Sequence, residues 1–362
     1  MSTPERILTF SAAIREAFDV CLERDPGVYL MGEGVTDPKG IFGTTLGLLE
    51  KYGPVRIVEM PTSENGMTGV AIGSALMGQR PVMLHQRVDF ALLAFDQIVN
   101  NAANWRYMYG GKGGNVPMVI RVVIGQGWGQ GAQHAQCLEP LFAHIPGLKV
   151  VMPTTAGDAK GLMIAAIEDP NPVIYIDHRW LHNTTGVVPE GHYVRPLKSG
   201  RTAREGRDVT VVATSHAVIQ ALRAAEVLAE ADCAVEVIDL MVPRPLDMEA
   251  VNKSVSKTGR LLTVDTGWRT FGIGAEIVAR ISETNFAGLK APPRRLGLPD
   301  HPTPSSRSLV INYYPRAETI IEAVGAMMNL DMEKVLKIQN RLFAERAKLP
   351  IDIPDSSFTG PF

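Results

Sequence analysis

Pro61-Thr62-Ser63-Glu64-Asn65-Gly66-Met67-Thr68-Gly69-Val70-Ala71-Ile72-Gly73 places one carboxylate between two different periodicities. Upstream, Val55 to Val58 is a β-branched run that reads as a strand. Downstream, Gly66, Gly69, Ala71, Gly73, Ala75 and Gly78 form a helix-like run of small residues. Such residues let a helix backbone approach a neighbouring surface closely. Two roles for Glu64 stand side by side. A lone carboxylate beside a close-packed glycine face can polarise one nitrogen of a buried heterocycle. A carboxylate at a helix N-terminus is also favoured by the helix dipole alone.

Outward from this stretch, short β-branched runs alternate with helical patterns. Strands are predicted over 28–32, 55–60, 81–85, 118–123, 149–152 and 173–176, with helices over 9–23, 66–77, 90–107 and 156–167. In the third helix Leu92, Phe95, Val99 and Ala102 fall on one face. Alternation of this kind implies right-handed crossovers and a mainly parallel sheet. A second set follows, with strands over 209–213, 234–240 and 261–264 and helices over 217–229 and 273–281. The expectation is an α/β chain of two domains, each containing a parallel sheet. The bounds are 1–190, a linker over 191–207 rich in Thr, Gly, Pro and charge, then 208–330. Residues 331–362 read as a tail, in which Met332, Val335, Leu336, Gln339, Leu342 and Phe343 give one helix an apolar stripe before a Pro-rich end.

The formal net charge of -2, with no long run of one sign, does not suggest a nucleic-acid or anionic-membrane partner. No apolar stretch is long enough to span a bilayer, and the first fifteen positions do not read as a secretory signal. Cys21, Cys137 and Cys233 are far apart and form no CxxC, as in reduced, packed thiols of a cytoplasmic protein.

Several further segments recur in a fixed order: Gly131-Ala132-Gln133-His134-Ala135-Gln136, residues 142–153 (FAHIPGLKVVMP), and Asp158-Ala159-Lys160-Gly161-Leu162. Others are Gln86-Arg87-Val88-Asp89-Phe90, Phe95-Asp96-Gln97-Ile98, Arg106-Tyr107, Val237-Ile238-Asp239-Leu240, Arg244-Pro245-Leu246-Asp247 and Gly272-Ile273-Gly274-Ala275-Glu276-Ile277. With the Glu64 segment, they make residues 5 to 328 resemble the beta subunit of the decarboxylating component of 2-oxo acid dehydrogenase complexes. That subunit is transketolase-like and works with thiamine diphosphate. The resemblance implies a pyrimidine-binding domain followed by a transketolase C-terminal-like domain.

The resemblance also implies roles. Glu64 would hydrogen-bond the ring nitrogen of the thiamine aminopyrimidine and favour the imino tautomer that removes the thiazolium proton. Phe90 would stack on the aminopyrimidine, and Gln86 would lie beside it. His134 would handle the 2-oxo acid, or the acyl group on its way to lipoamide, although a lone histidine is often structural. Glu33 would take part in a proton path, although Gly34 replaces the usual polar neighbour and a turn cap explains Glu33 equally well. His144 reads as structural.

Two glycine clusters carry less than they suggest. Gly110-Gly111-Lys112-Gly113-Gly114 lacks the spacing and hydroxyl of a phosphate loop. Gly125-Gln126-Gly127-Trp128-Gly129-Gln130-Gly131 lacks the downstream acid of a dinucleotide fold and reads as a loop lining the mouth of the site. No Gly-Asp-Gly occurs, so the magnesium diphosphate that the resemblance implies would be held by an alpha subunit in an alpha2-beta2 assembly, with no metal ligand expected in this chain. A lipoyl acyltransferase core is a further partner the resemblance brings.

Departures from the family cluster near the expected site. Arg87 stands at a position usually aromatic or apolar, Val122-Val123 follows Arg121 in place of Gly-Pro, and Asp177-His178 replaces a pair such as Glu-Pro. Strand alternation places Arg87 and His85 on one face. Arg87 either pairs with Asp89 or binds an anionic or polyhydroxylated substrate, with His85 as the second substrate candidate. Two other activities remain open: half of a split non-oxidative carboligase, or a catalytically silent assembly subunit.

Overall fold

The computed structural model describes residues 5–125, 129–198, 200–348 and 353. The chain divides into two compact units. The first runs to Ile124 and resumes from Leu141 to Leu197; the second takes Gly125 to Pro140 and the chain from Lys198 onward.

In the first unit, β1 (Ile7–Thr9) pairs antiparallel with β8 (Thr185–Val187). Between them lie β2 (Val28–Gly32), β3 (Ile57–Glu59), β4 (Arg80–His85), β5 (Val119–Ile124), β6 (Lys149–Val151) and β7 (Val173–His178). These six form one parallel sheet in the order β3-β2-β4-β5-β7-β6. Every residue of β5 and β7 is buried, which explains their unbroken β-branched runs. The helix Phe10–Arg24 starts at Thr9, whose hydroxyl accepts from the Ala12 N–H at 3.2 Å. It buries Phe10, Ala13, Ile14, Ala17, Phe18, Cys21 and Leu22, a single helical face. It packs on the helix Ala156–Glu168, where fully buried Lys160 reaches Glu16 at 2.6 Å and the Pro189 carbonyl at 2.7 Å.

The predicted helix over 90–107 is a broken helical run. It passes from Val88–Ala91 through a 3-10 turn and a π-helical stretch, Gln97–Ala103, to Trp105–Met108. The buried face runs through Ala91, Ala94 and Ile98, one residue before the expected Leu92, Phe95 and Val99, and rejoins expectation at Ala102, which leaves Leu92 37% exposed. The turn at Gly110, Gly111 and Gly114 has positive φ at all three glycines, as a tight loop requires.

The second unit contains β9 (Arg201–Arg204), β10 (Val209–Ala213), β11 (Val235–Asp239), β12 (Leu261–Trp268) and β13 (Arg294–Leu298), in the order β13-β12-β10-β11-β9. All pairs are parallel except β9 with β11. Alternate residues face opposite layers. Val209, Val211, Val235 and Val237 meet the helices His216–Leu228 and Ala317–Met328, whereas Val212, Ile238 and Leu261 meet Glu249–Thr258 and Ile273–Asn285.

One boundary differs from expectation, and the helix expected in the tail packs on the second unit. Residues 201–204 lie in the span read as linker, yet they form edge strand β9, with Arg201 bonded to Asp239 at 3.0 Å. An edge strand with polar side chains is easily taken for a loop. The span read as a tail begins with the helix Met332–Arg346, which completes the core of the second unit through Val335, Ile338 and Leu342. Gly325 admits Val335, since a Cβ there would lie 3.0 Å from a Val335 methyl. Gln339 donates to the Glu318 carbonyl at 2.9 Å. Leu336 and Phe343, placed on the apolar stripe by sequence, are 51% and 42% exposed.

This helix is therefore core, and truncation there leaves a cavity. Leu342→Ala is expected to lower unfolding free energy by about 2–4 kcal/mol in denaturant titrations of the full chain, and Phe343→Ala by less than about 1 kcal/mol. Equal losses would place both side chains on a surface.

Candidate functional site

The carboxyl ends of β2, β3 and β4 open onto one narrow cleft, lined by Glu33, Met60, Glu64, Leu84, His85, Gln86 and Phe90. This is the edge where parallel sheets bind ligands. Glu64 is the first residue of the helix Glu64–Leu76 and is 6% exposed. Its burial follows from helix phase: Glu64, Thr68, Ala71 and Ala75 form the buried stripe. The small residues serve differently from expectation. Gly66 and Gly73 are exposed, in line with Val70 and Met77, and only Gly69 approaches another helical segment, at Gln97.

Glu33 follows β2 directly. Its Oε1 is buried with no hydrogen-bond partner among the described residues. Burial, and then the negative charge of Glu64, raise its proton affinity above the usual carboxylate range. The turn beyond it requires glycine: Gly34 has φ +75°, and a Cβ there would lie 2.5 Å from Gln86 Nε2. The Gly34 N–H donates to Glu59 Oε1 at 2.6 Å, and Gln86 Nε2 donates to the Glu33 carbonyl at 3.1 Å. Gln86 thus holds the strand end that carries Glu33.

His85 ends β4 at 3% exposure, with Nε2 buried and unpartnered among the described residues. Burial lowers its pKa to about 4, so the imidazole is neutral at neutral pH. Half-buried Phe90, in the short helix Val88–Ala91, supplies the aromatic wall. A neutral imidazole nitrogen, an unpartnered carboxyl oxygen, the Glu64 carboxyl and an aromatic ring in one cleft suit a flat nitrogen heterocycle bearing an amino group.

Arg87 is not among the residues lining that cleft. Its guanidinium lies 5.4 Å from the centre of the Phe42 ring, and Arg179 lies 4.8 Å from the same ring. Both arginines are buried. Burial, and then the positive charge of Arg87, lower the Arg179 pKa to about 10. Phe42 has φ +52°, a left-handed conformation that costs a bulky residue about 1 kcal/mol or more. Behind it, Asp177 receives Arg121 Nε and Nη2, both at 2.8 Å, and His182 Nε2 at 2.5 Å. Arg121 Nη1 donates to Thr44 at 2.8 Å.

His134 belongs to the second unit. It ends the 3-10 turn Gly131–Gln133 and is half-buried. Gln126, Gly127 and Trp128, read as part of a loop lining the mouth of the site, lie outside the described residues. Exposed His144 ends the helix Glu139–His144. Among the described residues no group of three or more His, Cys, Asp or Glu side chains could hold a metal ion. No helix among them is long and apolar enough to cross a membrane. Sequence reasoning missed the apolar lining Met60 and Leu84, and the Phe42–Arg179 pair. Arg179 could have been found as the residue following a buried strand; Phe42 carried no signal.

Residues 7–183 match the family described as transketolase, pyrimidine binding domain, and residues 198–320 match transketolase, C-terminal domain. The chain is 41% identical to the beta subunit of acetoin:2,6-dichlorophenolindophenol oxidoreductase of Cupriavidus necator, covering 89% of this chain and 98% of that one. It is 40% identical to the mitochondrial pyruvate dehydrogenase E1 component subunit beta-1 of Oryza sativa subsp. japonica, over 89% and 87%. The Rhizobium meliloti pyruvate dehydrogenase E1 component subunit beta is 39% identical, over 88% and 70%. A solved structure titled split gene transketolase, inactive beta4 tetramer, shares the fold at TM-score 0.73 and 22% identity, covering 89% of this chain and 99% of that one.

The neutral histidine gives a pH test. A histidine whose folded pKa lies below its unfolded value near 6.5 destabilises the fold as pH falls from about 6.5 towards 4, because only the unfolded chain takes up the proton. His85 and His182, also lowered to about 4 by burial, both act in this window. His85→Gln is expected to shallow the slope of unfolding free energy there by about one proton, or about 1.4 kcal/mol per pH unit. An unchanged slope would mean that His85 is already charged in the folded protein.

Proposed function

Because this chain belongs to the family of transketolase-like beta subunits that includes those of pyruvate dehydrogenase E1 and acetoin oxidoreductase, we propose that it is the beta subunit of a thiamine-diphosphate-dependent 2-oxo acid dehydrogenase. The observation that carries this reading is the meeting of Glu33, Glu64, His85 and Phe90 in one cleft. Bound thiamine diphosphate supplies the electron sink for decarboxylation. This chain supplies the pyrimidine side. Glu64 would face the ring nitrogen, and Phe90 would set the plane of the ring. Neutral His85 offers Nε2 as donor or acceptor, according to its tautomer. Glu33, with its raised proton affinity, exchanges protons with the same cleft.

An alpha subunit holds the magnesium diphosphate and closes the site, in an alpha2-beta2 assembly. His134 serves acyl transfer to a lipoyl group. Three buried free cysteines fit a reducing compartment, which we take to be the cytoplasm. The 41% identity to the acetoin enzyme supports a second reading, cleavage of an acyloin. Reconstituting the chain with its alpha partner, and offering pyruvate, branched-chain 2-oxo acids and acetoin with an artificial acceptor, separates the two.

Glu64→Gln should leave assembly intact and slow proton–deuterium exchange at the thiazolium carbon by about 10²–10⁴-fold, the range for general acid–base groups. An unchanged exchange rate would reduce Glu64 to a helix-terminal carboxylate. Arg87 and Arg179 converge on Phe42, and we assign this pair to an anionic or polyhydroxylated substrate group. Arg87→Phe should shift the substrate ranking towards short or branched aliphatic 2-oxo acids. The same ranking with lower stability would make Arg87 part of the scaffold.

A further inference from the structure

The segment carrying His134 is fastened at its far end by a buried acid outside every role assigned so far. Glu139 is 1% exposed, and its Oε1 accepts from the Thr266 hydroxyl at 2.7 Å, on strand β12. Burial raises its proton affinity, while the Thr266 hydroxyl and the backbone N–H groups of Glu139 and Gly267 oppose that rise. Its Oε2 is buried with no partner among the described residues. Beneath the carboxyl, β12 comes too close for any side chain. A Cβ on Gly267 would lie 2.8 Å from the Cys137 carbonyl and 3.2 Å from Glu139 Oε1. At the near end, Gly131 has φ +67°, and a Cβ there would lie 2.2 Å from Ser305 Oγ. Gly129, with φ +69°, approaches the Ser305 carbonyl in the same way.

His134 therefore sits between two fixed points of the second unit. Asp265, also on β12, receives the Gly274 N–H on both carboxyl oxygens, at 3.0 and 3.2 Å. It feels the charge of Glu139, and burial raises its pKa to about 7. Two buried carboxyls this close oppose double ionisation.

We propose that Glu139 is a positioning residue for His134, its carboxyl bonded to Thr266 so that the 129–140 segment presents the imidazole in one place for acyl transfer. The proposal rests on the acyl-transfer role assigned to His134. Glutamine keeps the shape and an acceptor oxygen for the Thr266 hydroxyl, so Glu139→Gln should behave as the native chain. Leucine keeps the volume and removes the acceptor; Thr266→Val removes the donor.

The test has two readouts. Hydrogen exchange on the full chain, followed at the backbone amides of residues 131–138, reports the tether. With Glu139→Leu and with Thr266→Val these amides should exchange about tenfold faster, the factor for losing one hydrogen bond of about 1.4 kcal/mol. Reductive acylation of a lipoyl acceptor by the alpha–beta enzyme reports the function. There kcat should fall about tenfold or more in both variants, with KM for the 2-oxo acid unchanged, and Glu139→Gln should restore both readouts.

Native exchange rates in Thr266→Val and Glu139→Leu would overturn the tether. Faster exchange with native acylation, in an enzyme that His134→Ala disables, would overturn the positioning role. If His134→Ala acylates normally, the role of His134 itself fails, and the exchange rates alone still decide whether Glu139 fastens the segment.

Discussion

Two neighbouring central strands of the first sheet each carry one charge in an otherwise apolar run, Arg121 in β5 and Asp177 in β7, and the two meet in a two-pronged ion pair. Neither charge can reach water, with side chains 1% and 0% exposed. Removing either partner would strand the other, at a cost of about 3–5 kcal/mol. The pair also organises its surroundings. Arg121 holds Thr44, and through it the turn that carries Phe42; Asp177 holds His182. Burial raises the proton affinity of Asp177, but Arg121 and His182 outweigh it and leave the carboxyl at about 2. Burial likewise prevails over Asp177 at His182, which stays neutral, so Nε2–H is the donor.

The same competition between burial and partners shapes the cleft next to it. Among the described residues, Glu33 Oε1 and His85 Nε2 have no hydrogen-bond partner, and both line the cleft with Glu64. Unsatisfied buried polar atoms are costly, and they persist where a ligand completes them. The backbone supports the arrangement. Gln86 and Glu59 hold the turn after β2, and only glycine at position 34 leaves room for the Gln86 amide.

Much of this was legible in the chain. Burial on both faces of β5 and β7 leaves a β-branched run in sequence, and the alternation of such runs with helical patterns identified two parallel-sheet units. Glu64 stood out as a lone acid between a β-branched run and a run of small residues, and the resemblance gave it a role. The resemblance then named Phe90, Gln86 and Glu33, and the structure shows these residues with His85 lining one cleft at the carboxyl edge of the sheet. The broken winding between Val88 and Met108 was not legible, because a π-helical stretch obeys the same local propensities as an α-helix and differs only in which residues it turns inward. Edge strand β9 reads as linker for a related reason. It is polar on one side, and only its packing shows the other side to be structural.

The sequence by itself determined the α/β class and the family, since each depends on local pattern or on motif order. The tertiary structure alone decided the rest. Phe42 lies between Arg87 and Arg179, Asp177 takes both Arg121 and His182, and Glu139 reaches Thr266. These contacts join residues that no periodicity relates. They form because burying a charge or a polar group obliges the fold to find it a partner, and that partner can lie anywhere along the chain.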